Sequence, residues 1–321
     1  MKISIRFLSF CFVLAAAGSA FAGSDGTPPA RNDIAPSETR ASIPFEFDLE
    51  YAYIGDSEVK RSFRRVDFDE HYGLARLIYT PRLKFGILRL GGSYERFEFG
   101  VPNISLLRQP PGGGQFFGSP QIPRTLQTVS AIVGLDTQFS DSLLFRFEAQ
   151  PGLFGTGDLD RDTFNVPVII GGTYIYSPDL QFIFGISVDY ERNYPVFPGG
   201  GIRWHFASQW TLNAALPTPR LEYEMNRNLM IYAGADVKGT TFRVDENFGE
   251  SRADTRLNNA ILTYTELRVG AGLEWKITPE MKLSLEGGYL PYREFDYHRA
   301  DIRYTHEEGA PYGSISLRAA F

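Results

Sequence analysis

Over long stretches of this chain every second residue is apolar while the residues between carry charge, and few folds can accept that pattern. Successive strand side chains point to opposite faces, so such a stretch needs one apolar and one polar environment along its length. Phe45, Phe47, Leu49, Tyr51 and Tyr53 share one face, with Glu46, Asp48 and Glu50 on the other. Leu180, Phe182, Phe184, Ile186, Val188 and Tyr190 oppose Gln181, Ser187, Asp189 and Glu191, and Leu267, Val269, Ala271, Leu273 and Trp275 oppose Glu266, Arg268 and Glu274. None of these runs has helical spacing. The segments exceed the ~5–6 residues usual in soluble sheets and suffice for the ~9–11 of a membrane-crossing strand. Charge in mid-strand fits a wet interior better than a sandwich core.

Composition removes the alternatives. With 43% hydrophobic and 14% aromatic residues the chain is not disordered. A single cysteine excludes a disulfide framework. An excess of acid, 38 Asp and Glu against 32 Lys and Arg, argues against a nucleic-acid partner. Past the first 22 residues no uncharged apolar run approaches the ~18 residues of a membrane helix. Those first residues have their own logic: Lys2 and Arg6 precede an apolar run from Phe7 to Ala17, and Ala20-Phe21-Ala22 supplies a small-residue cleavage site. Residues 1–22 are therefore expected to be a secretory signal peptide, 23–41 a periplasmic linker, and 42–321 the folded unit.

The connections alternate between short and long. Short ones fall at Thr80 to Lys84, Ser140 to Ser142, Ser177 to Asp179, Ala207 to Gln209, Asn226 to Asn228 and Thr278 to Glu280. Long ones fall at Gly55 to Glu70, Gly100 to Thr125, Gly155 to Asp162, Arg192 to Pro198, Gly239 to Asn258 and Asp296 to Gly309, and Pro217 to Pro219 is short where a long one is due. Tight turns on one rim and long loops on the other describe an all-β, transmembrane, antiparallel up-and-down barrel of the Gram-negative outer membrane. The count is about 14 strands, with 12 or 16 also compatible. Tyr79, Phe85, Phe139, Tyr176, Phe206, Trp210 and Trp275 sit beside the short turns as one aromatic girdle. Tyr53, Phe97, Phe99, Phe154, Tyr190 and Tyr289 are expected to form the other. The chain ends on alternating apolar residues closing with Phe321, the form of an assembly signal. The expected partners are thus the barrel-assembly machinery, outer-membrane lipid and lipopolysaccharide; oligomeric state is not legible.

The polar phase places Arg89, Glu95, Asp136, Arg146, Glu148, Asp189, Arg203, Glu222, Arg268, Glu286 and Arg318 toward the lumen, joined by Glu191, His205 and Glu224. Facing lipid, each arginine would cost about 2–4 kcal/mol at the midplane. These charges either pair across the interior and fill it, as in a closed structural or surface-binding barrel, or line a porin-like passage for small solutes. An enzyme would have to use the loop cluster Asp296, His298, Asp301, His306, Glu307 and Glu308, or His71. No G-x-S-x-G elbow and no H-E-x-x-H spacing is present. No catalytic, metal or cofactor residue is assigned.

Several stretches carry a family likeness: L-I-Y-T-P-R at 77–82, I-V-G-L-D-T-Q-F-S-D-S at 132–142, G-G-T-Y-I-Y-S-P-D-L-Q-F at 171–182, L-P-T-P-R-L-E-Y-E at 216–224 and P-Y-R-E-F-D-Y-H-R-A-D at 291–301. With the closing G-A-P-Y-G-S-I-S-L-R-A-A-F, they make the chain resemble a family of bacterial outer-membrane β-barrel proteins known only as a domain of unknown function. The resemblance implies a barrel in the outer membrane and supplies no activity, cofactor or site residue.

Overall fold

The computed structural model describes residues 44–62, 64–102, 105–107, 116–252 and 254–321. The expected signal peptide, 1–22, and linker, 23–41, lie outside them. The described residues form fourteen wall strands in chain order. They are β1 (Phe45–Arg61), β2 (Arg64–Tyr79), β3 (Gly86–Phe99), β4 (Thr125–Ser140) and β5 (Leu143–Ala149, resumed at Gly152–Gly155). Next come β6 (Phe164–Asn165 and Val168–Ser177), β7 (Leu180–Val188), β8 (Val196–Ala207), β9 (Trp210–Asn213) and β10 (Arg220–Asn226). The last are β11 (Leu229–Lys238, extended by Thr241–Arg243), β12 (Ile261–Lys276), β13 (Met281–Tyr297) and β14 (Ile302–Glu308 and Ala310–Ala320).

Each strand pairs antiparallel with the next, and β14 returns to β1, from Glu46 opposite Ala320 to Ile54 opposite Tyr312. The Phe321 amide donates to the Phe45 carbonyl at 2.9 Å, so the last residue closes the ring. Ring closure removes the two terminal edges that an open sheet would expose, as a β-structure in hydrocarbon requires. The outer face carries Leu49, Tyr51, Leu77, Val129, Phe182, Phe184, Leu273 and Ile315, all exposed. The seven aromatics expected beside the short turns are exposed there as well.

Three expectations are corrected. Asp296 to Gly309 is not a long loop: β13 runs to Tyr297 and β14 begins at Ile302, with Glu294 to Tyr297 paired to Thr305 to Ile302 across a short turn. Gly55 to Glu70 is not a loop: β1 runs to Arg61 and β2 starts at Arg64. A bulge sets Gly55 and Asp56 opposite Asp69 alone, and beyond it Val59, Val66 and Phe68 turn inward and are buried. Of the second girdle, Tyr53, Tyr190 and Tyr289 are exposed, but Phe97, Phe99 and Phe154 are at most 3% exposed and point into the barrel. Near the long-loop rim the inward face is as apolar as the outward one, so alternation no longer separates the two.

The wall is uneven in height. β1 and β13 have 17 residues and β2, β4 and β12 have 16, whereas β7 has 9, β10 has 7 and β9 only 4. The tall arc carries the interior packing described next.

Candidate functional site: the barrel interior

The interior is built in tiers. Toward the long-loop rim lies an apolar core in which Tyr72, Phe97, Phe99, Phe242, Tyr264 and Phe295 are almost fully buried. Their rings pack at centroid distances of 4.8 Å (Tyr72–Phe97), 5.0 Å (Phe97–Tyr264) and 4.9 Å (Tyr264–Phe295). Loop residues Ile122, Phe248, Leu257 and Ala300 complete it from above. Strands of opposite walls meet here without a gap, so this tier is a dry cap over the lumen.

Gln121 anchors that cap. Its side-chain oxygen accepts from Arg61 at 2.7 Å and Tyr304 at 3.1 Å, its amide donates to Asp254 at 3.4 Å, and its carbonyl accepts from Tyr297 at 2.8 Å. Gln121→Ala keeps the backbone bond from Tyr297 but strands the Arg61 and Tyr304 donors, at about 1–3 kcal/mol for an unsatisfied buried partner. Hydrogen exchange is expected to rise in residues 116–124 and 254–257 while the wall strands keep their protection.

Under the aromatic core sits an ionic tier with no water access. Arg268 approaches Glu266 at 2.6 Å and Glu70 at 3.3 Å, Arg293 pairs with Glu70, and the Tyr264 hydroxyl lies 2.9 Å from both carboxylates. Glu70 stands on β2 and the other four groups on β12 and β13, so these bonds cross the lumen. Arg268, Glu70, Glu266 and Arg293 are at most 1% exposed. Two arginines against two glutamates leave no net charge, as burial of ions requires.

Below it the lumen opens into a polar vestibule of ≈ 120 Å³ toward the short-turn rim. Lys238 bridges Glu50 at 3.0 Å and Asp236 at 3.4 Å, with its ammonium 4.4 Å from the Tyr72 ring, and Tyr72 donates to Glu95 at 2.9 Å. Lower down, Lys282 pairs with Glu274 at 3.1 Å and Arg318 with Asp48 at 2.7 Å. Tyr312 donates to Glu286 at 2.5 Å.

A second network occupies the β3–β5 side. Arg146 clamps Asp136 through two bonds of 2.7 and 2.8 Å, and Arg89 reaches Glu148 at 3.2 Å and Glu46 at 3.0 Å. Further round, Asn165 donates to Asp189 at 2.9 Å, and Arg203 approaches Glu222 at 3.7 Å. Of the residues named from sequence, Arg89, Glu95, Asp136, Arg146, Glu148, Asp189, Glu222 and Arg268 are buried within the barrel. Arg203 and Glu286 are half-buried, and Arg318 is exposed at the vestibule.

Sequence reasoning set Glu50 and Glu266 on the polar faces of their strands and missed Glu70, Lys238 and Arg293. Glu70 was hidden by the supposed loop. Arg293 was hidden by a bulge: Leu290 and Pro291 stand opposite Arg268 alone, which reverses the phase of β13, so Leu290 and then Arg293, Phe295 and Tyr297 all face inward.

The histidine and carboxylate cluster does not converge. Asp296 is bonded to Arg303 at 2.8 Å, Glu307 pairs with Lys60, and His71 accepts or donates with the Tyr51 hydroxyl at 2.8 Å. Burial lowers the pKa of His298, on the turn between β13 and β14, below the ordinary imidazole value. Among the described residues no group of His, Cys, Asp and Glu is placed to hold a metal ion.

A family model described as "Domain of unknown function (DUF6268)" matches residues 150–318. No curated protein matches. Solved structures with similar barrels include the P. putida toluene transporter TodX, 12% identical over 88% of this chain and 91% of that one, TM-score 0.40. A Pseudomonas aeruginosa FadL homologue is 10% identical over 96% and 98%, TM-score 0.43, and the KdgM porin in complex with disordered oligogalacturonate 8% identical over 85% and 99%, TM-score 0.35. Likenesses this loose carry nothing about solute, partner or route.

Proposed function

The chain belongs to the family described as a domain of unknown function (DUF6268), and for it we propose a gated, porin-like role: passage of small solutes across the outer membrane through the polar vestibule, with the aromatic cap as the closed gate. The observation that carries this reading is the stacking of a charged, open chamber beneath a dry plug. A barrel needed only as a scaffold gains nothing from a hollow lower half lined by ionised groups, each costly to keep unless it meets water or a partner. Passage by diffusion needs no nucleophile and no cofactor, only width and field. The proposal includes lipid and lipopolysaccharide as the surroundings of the apolar wall, and recognition of the strand ending in Phe321 by the assembly machinery.

Planar-bilayer recording tests it. Wild-type protein is expected to open rarely. Phe97→Ala combined with Phe295→Ala removes the centre of the cap and is expected to raise open probability at least tenfold. Lys282→Ala, which removes a cation from the vestibule wall, is expected in that background to shift the ion selectivity of the open state. A cap variant that folds, shown by heat-modifiable migration on a gel, yet stays silent would leave a closed barrel acting through its surface loops.

A further inference from the structure

We propose that the vestibule has a lateral entrance, a seam between β8 and residues 214–219, and that it admits an amphiphile with an anionic head from the bilayer. This rests on the reading above that the vestibule takes up solute, and it adds the route and the chemical class.

The seam follows from the hydrogen-bond ladder. β9 pairs with β8 only from Arg203 opposite Asn213 to Ala207 opposite Trp210, and one further bond joins the Ala214 amide to the Ile202 carbonyl at 2.8 Å. Above that rung, residues 196–201 of β8 bond to β7. Among the described residues no backbone bond links them to 215–219, which bond instead to β11 through the Pro217 and Pro219 carbonyls at 3.1 and 2.9 Å. Neither proline has an amide to offer β8. The two chains still touch: a Cβ at Gly201 would collide with the Ala214 carbonyl and the Ala215 backbone, so only glycine permits the approach. Here the wall is held by contact, not by rungs. Unpaired backbone groups are not tolerated against hydrocarbon, so this edge belongs where a polar lumen or a ligand can satisfy it.

The two ends of the seam differ in chemistry. Its inner end is vestibule wall, made by Pro217, Thr218 and Arg220. The Arg220 guanidinium stacks over Tyr232 at 4.6 Å and, among the described residues, makes no ion pair, unlike its neighbour Arg203, which pairs with Glu222. A stacked guanidinium with free donors recognises a carboxylate or a phosphate. Outside, the wall beside the seam presents exposed Val196, Trp204 and Leu221. The axial route from the long-loop rim is filled by the cap, whereas this side is the low arc of the wall.

The test uses full-length protein in phosphatidylcholine vesicles with bromododecanoate, whose bromine quenches Trp204 beside the seam. Saturable quenching is expected for the wild type. At least tenfold weaker binding is expected for Arg220→Gln, and unchanged binding for Arg161→Gln, on an exposed turn away from the vestibule. Leu216→Cys in a Cys11→Ser background, blocked with a bulky maleimide, is expected to lose the same binding. A cationic dodecyl ammonium quencher should give only unsaturable partitioning. The inference is overturned if Arg220→Gln binds like the wild type, if the cation saturates equally well, or if the blocked seam leaves binding intact. Conductance in the cap variant with no saturable dodecanoate binding would keep the gated passage and remove the lateral entrance; binding without conductance would do the reverse.

Discussion

Arg293→Ala is expected to lower the unfolding free energy of the barrel by about 3–5 kcal/mol, the scale for removing one partner of a buried ion pair. Arg293, Arg268, Glu70 and Glu266 form a neutral quartet at most 1% exposed. Without Arg293 the quartet keeps one negative charge that no solvent reaches. Urea titration of the refolded protein in detergent micelles, followed by tryptophan fluorescence, reads the loss directly. Arg293→Ala with Glu70→Gln restores neutrality and should recover a substantial part of it. Arg318→Ala provides the contrast: that side chain is 59% exposed in its pair with Asp48, and its removal should cost no more than about 1 kcal/mol. Equal costs at the two arginines would mean that water reaches the ionic tier.

Ile315→Arg is expected to be the most damaging single change on the outer wall. Ile315 lies midway along β14, between Tyr51 of β1 and Leu285 of β13, and all three side chains are exposed on the outside of the ring. Placed in hydrocarbon, the guanidinium should cost about 2–4 kcal/mol. Ser316→Arg, one position on, points into the vestibule and should be nearly neutral. The comparison is made by refolding yield into vesicles and by the urea midpoint of each variant. In a protein whose apolar stripe faced a watery surface, the order of the two would be reversed.

The short-turn half of the barrel was legible because its two environments differ: lipid outside and ionised groups inside force alternation at every step. Phe182, Phe184 and Ile186 could be oriented from their spacing alone. The upper half was not legible because the cap makes both faces apolar, which is why Phe97, Phe99 and Phe154 were assigned outward. The supposed loop over Gly55 to Glu70 concealed Glu70, and the bulge at Leu290–Pro291 reversed the phase of β13 and concealed Arg293. A bulge inserts one residue without any compositional mark, so its effect appears only when the pairing is known. The uneven wall was signalled by one irregularity, the short connection at Pro217 to Pro219, although its meaning depended on β9 having only 4 residues.

Because β14 hydrogen-bonds to β1, any slip introduced along the chain has to be cancelled before the cylinder meets itself. A one-residue slip turns a strand's whole side-chain set over. The topology therefore divides the molecule into two regimes of tolerated change: length can vary in connections that do not build the cap, whereas the wall can change residue identity but hardly residue number. Paired interruptions such as those on β1 and β13 are the form in which a wall insertion could survive at all.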